Sequence, residues 1–257
     1  MRQAAMPAKT VSYDFTGRTL FLTGAGGGIP AAIAKLFAAS GANLFLTDLH
    51  PDSLAVLAGE LGDNTSLAIH PLDVSDPEAV TAAAEACRDR FEKIDYVVTG
   101  AGLYEDGTVD GMADEVWRRG IAVNLDGVFH TVRAGLPHMP DGGAVVNIAS
   151  MAGHRGSFGH APYSAAKGAV LALTRSLAQE VASRNIRCNA ISPGLIDTPM
   201  VRGLMQERGG EMLNMTPLGR LGTPKEVAEV AAFLCSDGAA FLTAETIHVN
   251  GGVYIAS

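Results

Sequence analysis

The stretch Thr19-Leu20-Phe21-Leu22-Thr23-Gly24-Ala25-Gly26-Gly27-Gly28-Ile29-Pro30 decides the fold. Its first half is apolar on consecutive positions, as in a strand covered on both faces. Its second half is a glycine-rich turn. A segment of helical spacing then runs from Ala31 to Ala39, with Ile33, Leu36 and Phe37 on one stripe. Such a turn lets backbone approach a pyrophosphate, and the helix N-terminus behind it offers free N–H groups and the positive end of a dipole. The same turn also serves as a plain tight connection, so the surrounding sequence has to decide.

Moving outward, six more short apolar runs appear: Asn43–Thr47, Ser66–Ile69, Tyr96–Thr99, Ala144–Ile148, Arg187–Ile191 and Thr246–Val249. Between them lie Ala/Leu/Glu-rich stretches of helical spacing, among them Pro77 to Phe91 and Ala165 to Ser183. Seven strands alternating with helices predict an α/β fold, a seven-stranded parallel sheet with right-handed crossovers and helices on both faces. No repeat or linker divides the chain, so residues 1–257 are expected to form one domain. One segment breaks the rhythm, at about 195–223, and carries Met200, Met205, Met212 and Met215. It reads as a lid over the substrate, with core-filling methionines as the other reading.

Composition narrows the function. Of 257 residues 47% are hydrophobic and only 18% charged, and the net charge is −8. That sign argues against a nucleic-acid partner. No apolar run approaches the roughly 18 residues of a membrane span. Met1–Gly17 lacks the apolar stretch of a secretory leader, so a cytoplasmic location is expected. Cys87, Cys188 and Cys235 are far apart and form no C-x-x-C, and the seven histidines are scattered. No disulfide framework and no metal site is expected; Cys188 reads as core.

The second strand ends at Asp48, 20 residues after Gly28. A carboxylate there accepts from ribose hydroxyls and repels a 2′-phosphate. No Arg or Lys lies between Gly24 and Pro30, which favours NAD. Asp73 ends the third strand and either meets adenine or caps the turn Asp73–Asp76. Further on, Tyr163-Ser164-Ala165-Ala166-Lys167 places a phenol and an ammonium one helical turn apart. The cation is expected to stabilise the phenolate, so that Tyr163 moves the alcohol proton. Ser150, at a strand's carboxyl end, can bond a substrate oxygen. Asn124, within a helical stretch, can anchor a water toward Lys167 or is a satisfied helix asparagine.

Taken together, Thr23-Gly24-x-x-x-Gly28-Ile29, Asn124, Ser150, Tyr163-x-x-x-Lys167 and Pro193-Gly194 resemble the short-chain dehydrogenase/reductase family over about Phe15 to Ala256. The resemblance implies a three-layer Rossmann-type fold, a bound nicotinamide dinucleotide and a tetrad of Asn124, Ser150, Tyr163 and Lys167. Lys167 would also hold the nicotinamide ribose. It further implies cofactor contacts from Gly24, Gly27, Gly28, Ile29, Asp48, Leu49, Asp73, Val74, Ala101 and Gly102. Pro193, Gly194, Ile196 and Thr198 would flank the nicotinamide, Thr198 reaching its carboxamide. Three departures stand out: Pro30 replaces a loop glycine, Thr99-Gly100 replaces an Asn-Asn pair, and Ala149 precedes Ser150.

The expected substrate pocket involves Tyr104, His154, Phe158 and Leu195, with Arg155 offering an anion contact and Glu105 and Asp106 favouring polyols. The apolar stretches Val227–Cys235 and Val249–Gly252, with the family resemblance, suggest a homotetramer. The leading expectation is an NAD-dependent oxidoreductase acting on a small secondary alcohol or ketone, of the sugar, polyol, cyclic alcohol or hydroxy acid class. The alternatives are an NADP-dependent 3-oxoacyl-type ketoreductase and a non-catalytic dinucleotide-binding protein.

Overall fold

The computed structural model describes residues 11–255 apart from 64, 200, 202–204, 206–208 and 211–212. Met200, Met212 and Ala256, named above, lie outside the described residues.

Seven strands form the sheet: β1 (Thr19–Thr23), β2 (Asn43–Asp48), β3 (Leu67–Pro71), β4 (Tyr96–Thr99), β5 (Ala144–Ile148), β6 (Arg187–Pro193) and β7 (Thr246–Val249). Their order is β3-β2-β1-β4-β5-β6-β7, and every neighbouring pair is parallel. The order reverses beside β1, where Thr23 is paired with Thr47 on one side and Thr99 on the other. Crossovers leave the sheet in opposite directions there, so a crevice opens at the strands' carboxyl ends.

Helices cover both faces. On one face α1 (Gly28–Ala39) and α8 (Pro224–Cys235) pack over Leu20, Leu22, Leu44, Leu46, Val98 and Val146. On the other, α3 (Pro77–Phe91), α5 (Gly127–Gly135) and α7 (Ala161–Val181) pack over Phe21, Phe45, Val97 and Val145. Alternate residues of each inner strand therefore feed two different cores, which is why the strands are apolar on consecutive positions. Burying Phe21 or Leu22 contributes about 2 kcal/mol each. The edge strand β3 departs from this expectation, since Ile69 is 43% exposed.

Local sequence sets the helix boundaries. Asp76 caps α3 by accepting from Glu78 N and Ala79 N, and Thr223 with Glu226 forms a capping box on α8. Pro162 pre-sets the first turn of α7, which starts four residues before the Ala165 expected from its apolar stripe. Asp95 is buried and braces the amino end of the sheet, accepting from Thr19 N, Arg18 Nη1 and Lys93 Nζ, each at 2.9 Å.

Two expectations change here. The helical stretch around Asn124 contains a π turn, Ala122–Asp126, between α4 (Asp114–Ile121) and α5. The apolar stretch Val227–Cys235 is not a bare surface: Val227, Ala228, Ala231, Ala232, Leu234 and Cys235 are buried in the core beside α1. Its hydrophobicity is used within this chain and is no argument for a partner subunit.

Candidate active site

The carboxyl ends of the central strands open onto a cavity of about 1050 Å³. One end is lined by Gly24, Gly27, Gly28, Ile29, Asp48 and Leu49, with Asp73, Val74, Ala101 and Gly102 beside them. The other end is lined by Ser150, Tyr163, Lys167, Pro193, Gly194, Ile196 and Thr198. The structure thus gathers into one chamber residues spread over 175 positions of sequence, from Gly24 to Thr198.

The glycine-rich turn is built around close approaches. Gly24 has φ +70°, and a Cβ there would fall 2.6 Å from the backbone of Ala101. Gly26 N donates to Asp48 Oδ2 at 2.9 Å, and His50 N donates to Asp48 Oδ1 at 2.9 Å. The carboxylate is therefore fixed at the cavity wall with lone pairs to spare. Gly27 caps α1 without a side-chain acceptor, and the first turn carries no acidic residue. Uncapped N–H groups at a positive dipole end suit an anionic group. Gly28 faces the segment after β6: a Cβ on it would lie 2.8 Å from Thr198 Cγ2. Thr198 Oγ1 donates to Ile196 O at 3.4 Å.

Two of the sequence departures compensate each other. A Cβ on Gly100 would lie 2.6 Å from Pro30 Cγ and 2.7 Å from Thr23 O. The absence of a side chain at 100 makes room for the proline ring that sits where a glycine was expected. The missing asparagine amides are replaced by hydroxyls. Thr23 Oγ1 accepts from Gly100 N at 3.2 Å, and Thr99 Oγ1 donates to Asn147 Oδ1 at 2.9 Å. Asn147 Nδ2 in turn donates to Thr174 Oγ1 at 2.9 Å. This buried network ties β4, β5 and α7 together beneath the cavity, and sequence reading had missed it.

At the chemical end, Lys167 Nζ donates to Ile148 O at 2.8 Å and stands 5.7 Å from the centre of the Tyr163 ring. Burial pushes the Lys167 ammonium down to about 8 and the Tyr163 phenol up to about 12, a hydrogen bond with Ser150 pulling the phenol the other way. Ser150 Oγ also accepts from Ala152 N at 3.1 Å. The phenol therefore keeps its proton in the protein alone, while one of the three Lys167 N–H donors is taken by the Ile148 carbonyl and two remain. Asn124 lies outside the cavity wall and is fully buried. Its Nδ2 donates to Leu103 O (2.8 Å) and Gly120 O (2.9 Å), and its Oδ1 accepts from Leu103 N (3.1 Å). One amide proton braces the loop after β4 and the other returns to its own helical stretch at Gly120 O, leaving one lone pair on Oδ1 for any water.

Asp73 serves as the turn cap, accepting from Ser75 N and Ser75 Oγ at 2.9 and 2.7 Å, while still lining the cavity. Tyr104, Phe158, Leu195, Val201 and Met215 line the substrate side. His154 does not. The short helix α6 (Ala152–Arg155) turns it onto His248 and Tyr254, with ring centroids at 4.7 and 4.8 Å. Nor are the two acids free for a polyol: Glu105 pairs with Arg119, and Asp106 pairs with His160. The three cysteines are buried free thiols, each pushed up to about 12 by burial.

Comparison with known proteins adds an independent line. A family model described as Enoyl-(Acyl carrier protein) reductase matches residues 24–254. The chain is 38% identical over 244 residues to 3-oxoacyl-[acyl-carrier-protein] reductase FabG of Escherichia coli (strain K12), covering 94% of this chain and 99% of that protein. The chain belongs to the short-chain dehydrogenase/reductase family. Within that family it is also 37% identical to Nodulation protein G of Rhizobium meliloti (strain 1021), over 94% of this chain and 98% of that protein. Among solved structures it resembles a short-chain dehydrogenase/reductase from Brucella melitensis, described as a glucose/ribitol dehydrogenase. The TM-score is 0.93 at 45% identity, covering 96% of this chain and 100% of that one. The Rossmann-type fold and an oxidoreductase activity at a carbonyl or hydroxyl group, with a nicotinamide dinucleotide, follow from this membership.

Proposed function

We propose that this short-chain dehydrogenase/reductase exchanges a hydride between NAD(H) and a small ketone or secondary alcohol, with Tyr163 carrying the proton. The observation that supports it most is the shared cavity, with the Asp48-braced glycine loop at one end and Tyr163, Ser150 and Lys167 at the other.

The uncapped first turn of α1 and the glycine loop would hold the pyrophosphate, and Lys167 would reach a ribose hydroxyl. Asp48 would accept from the adenosine ribose, and a 2′-phosphate there would meet a fixed carboxylate. When bound, the oxidised dinucleotide supplies the hydride acceptor and a positive charge that favours the phenolate. The protein's residues do the rest. Ser150 would bond the substrate oxygen. Tyr163, protonated at neutral pH, would donate to that oxygen as a ketone is reduced and recover the proton in the reverse direction. Lys167 is cationic below about pH 8 and stabilises the ionised phenol once the site is filled.

The test is a side-by-side comparison of kcat/KM for NADH and NADPH. NADH is expected to be favoured, and Asp48→Ala is expected to narrow the ratio by about tenfold, the effect of one fixed charge. A preference for NADPH in the unaltered enzyme would overturn the cofactor assignment.

A second reading is supported by the curated relatives: reduction of a 3-oxoacyl-[acyl-carrier-protein], as the name of the Escherichia coli relative states, with NADPH as the cofactor of that reading. Acetoacetyl thioester reduction outpacing every sugar, polyol and cyclic ketone would favour it. A homotetramer is also proposed, now on Trp117, Phe129 and Phe241, which are exposed at 43%, 44% and 103%. Sedimentation of a single species at the monomer mass would remove it.

A further inference from the structure

A chain of four side chains runs from the solvent to the edge of Tyr163, and the proposed reaction leaves it unused. His160 Nε2 lies 2.7 Å from Asp106 Oδ1, His160 Nδ1 lies 3.0 Å from Ser157 Oγ, and Ser157 Oγ lies 3.4 Å from Tyr104 Oη. The Tyr104 ring stacks on His160 at 3.9 Å between centroids and meets Tyr163 edge-on at 4.8 Å. Gly107 N donates to Gly159 O at 2.9 Å, tying the loop after β4 to the turn before α7. Tyr104, Ser157 and His160 all line the cavity. The His160 side chain is buried, whereas Asp106 stands in solvent.

With His160 neutral, the chemistry of the partners orders the protons along this chain. An ionised carboxylate only accepts, so Nε2 carries a hydrogen, and in the neutral imidazole Nδ1 is then the acceptor. Ser157 has one proton and gives it to Nδ1. Its lone pairs then receive the Tyr104 hydroxyl, and burial holds that phenol above its ordinary range, so it has a proton to give. Both hydroxyl protons are consumed inside the wall. What the wall retains for a ligand is oxygen lone pairs.

Resting on the reading that a carbinol carbon reacts at Tyr163, we propose that the Tyr104–Ser157–His160–Asp106 wall selects substrates with a second hydroxyl beside the reacting carbon. Vicinal diols and α-hydroxyketones donate into it. A mono-alcohol leaves it unused, and a second carbonyl meets only other acceptors, a mismatch that costs affinity. His160 is a positioning residue, acting through the two hydroxyls it polarises.

Calorimetric titration of trans-1,2-cyclohexanediol and of cyclohexanol into the protein carrying NAD reads the wall without requiring turnover. The diol is expected to bind about tenfold tighter, the discrimination of one neutral hydrogen bond. His160→Leu removes both imidazole bonds and should abolish that preference. His160→Gln should keep it, because its amide oxygen accepts from Ser157 while its NH2 donates to Asp106. Ser157→Ala should also erase it, and thermal melts of all three variants separate loss of preference from loss of fold. Equal affinities in the unaltered protein, a preference surviving Ser157→Ala, or equal behaviour of the Leu and Gln variants would each overturn the proposal. NADH absorbance in the same samples keeps the two readings apart. A diol preference without NADH from either alcohol upholds the wall and counts against the dehydrogenase reading.

Discussion

Lys167 shows how the site trades stability for chemistry. Its ammonium is buried with one carbonyl for company, and burial pushes its pKa from an ordinary 10.5 down to about 8. Between those values the unfolded chain holds a proton that the folded chain has released. This group's contribution to stability therefore rises with pH through the window from about 8 to 10.5. Below it, the buried charge is a standing cost. Lys167→Met is expected to raise unfolding stability at pH 7 by about 2 kcal/mol. That gain should fade by pH 10, as read from urea melts at both values; a gain independent of pH would refute the assignment. At this scale the sequence was informative where spacing constrains direction. Tyr163 and Lys167 are one turn apart on α7, and they do share a chamber. It was uninformative where a loop or a short helix sets direction. His154 lies four residues past Ser150 and nonetheless points at β7. Glu105 and Asp106 look free in the sequence and are both paired in the fold.

At the level of elements, the strand–turn–helix at the start of the chain and the alternation of seven strands were readable, because burial on two faces leaves a plain pattern. The adjustments between elements were not. Pro30 and Gly100 are 70 positions apart, and nothing in either neighbourhood announces that one makes room for the other. Gly100→Asn is expected to destabilise the protein by about 2 kcal/mol through overpacking against Pro30 and Thr23. Adding Pro30→Gly should return about half of that. The double-mutant coupling is expected near 1 kcal/mol by chemical denaturation; strict additivity would mean that the two departures are independent. The Asp95 brace offers a second test at this scale. Asp95→Ala leaves Thr19 N without its acceptor and should cost about 3 kcal/mol, with little effect on kcat, since it lies at the far end of the sheet from the cavity.

The whole molecule is a sheet whose topology reverses once, and its cavity sits at that reversal. Charge and the lack of a long apolar run had argued against nucleic acid and a membrane span, while the glycine loop and Asp48 pointed to the dinucleotide end. The substrate end was legible only in outline, because its residues come from three separate connections, after β4, β5 and β6, whose relative placement no local pattern encodes. Cofactor binding should be visible as global stabilisation. NAD at 100 times its dissociation constant is expected to add about 2.7 kcal/mol and raise the melting temperature by about 5 °C or more, with NADP giving less at equal concentration. The central claim is that the Tyr163 phenol carries the proton while hydride moves. Its most direct test is single-turnover ketone reduction by the unaltered protein and by Tyr163→Phe, with NADH binding followed by fluorescence in the same samples. The account predicts a rate lower by about a thousandfold with NADH binding retained. A phenylalanine variant that binds NADH and reduces the ketone at the original rate would contradict it.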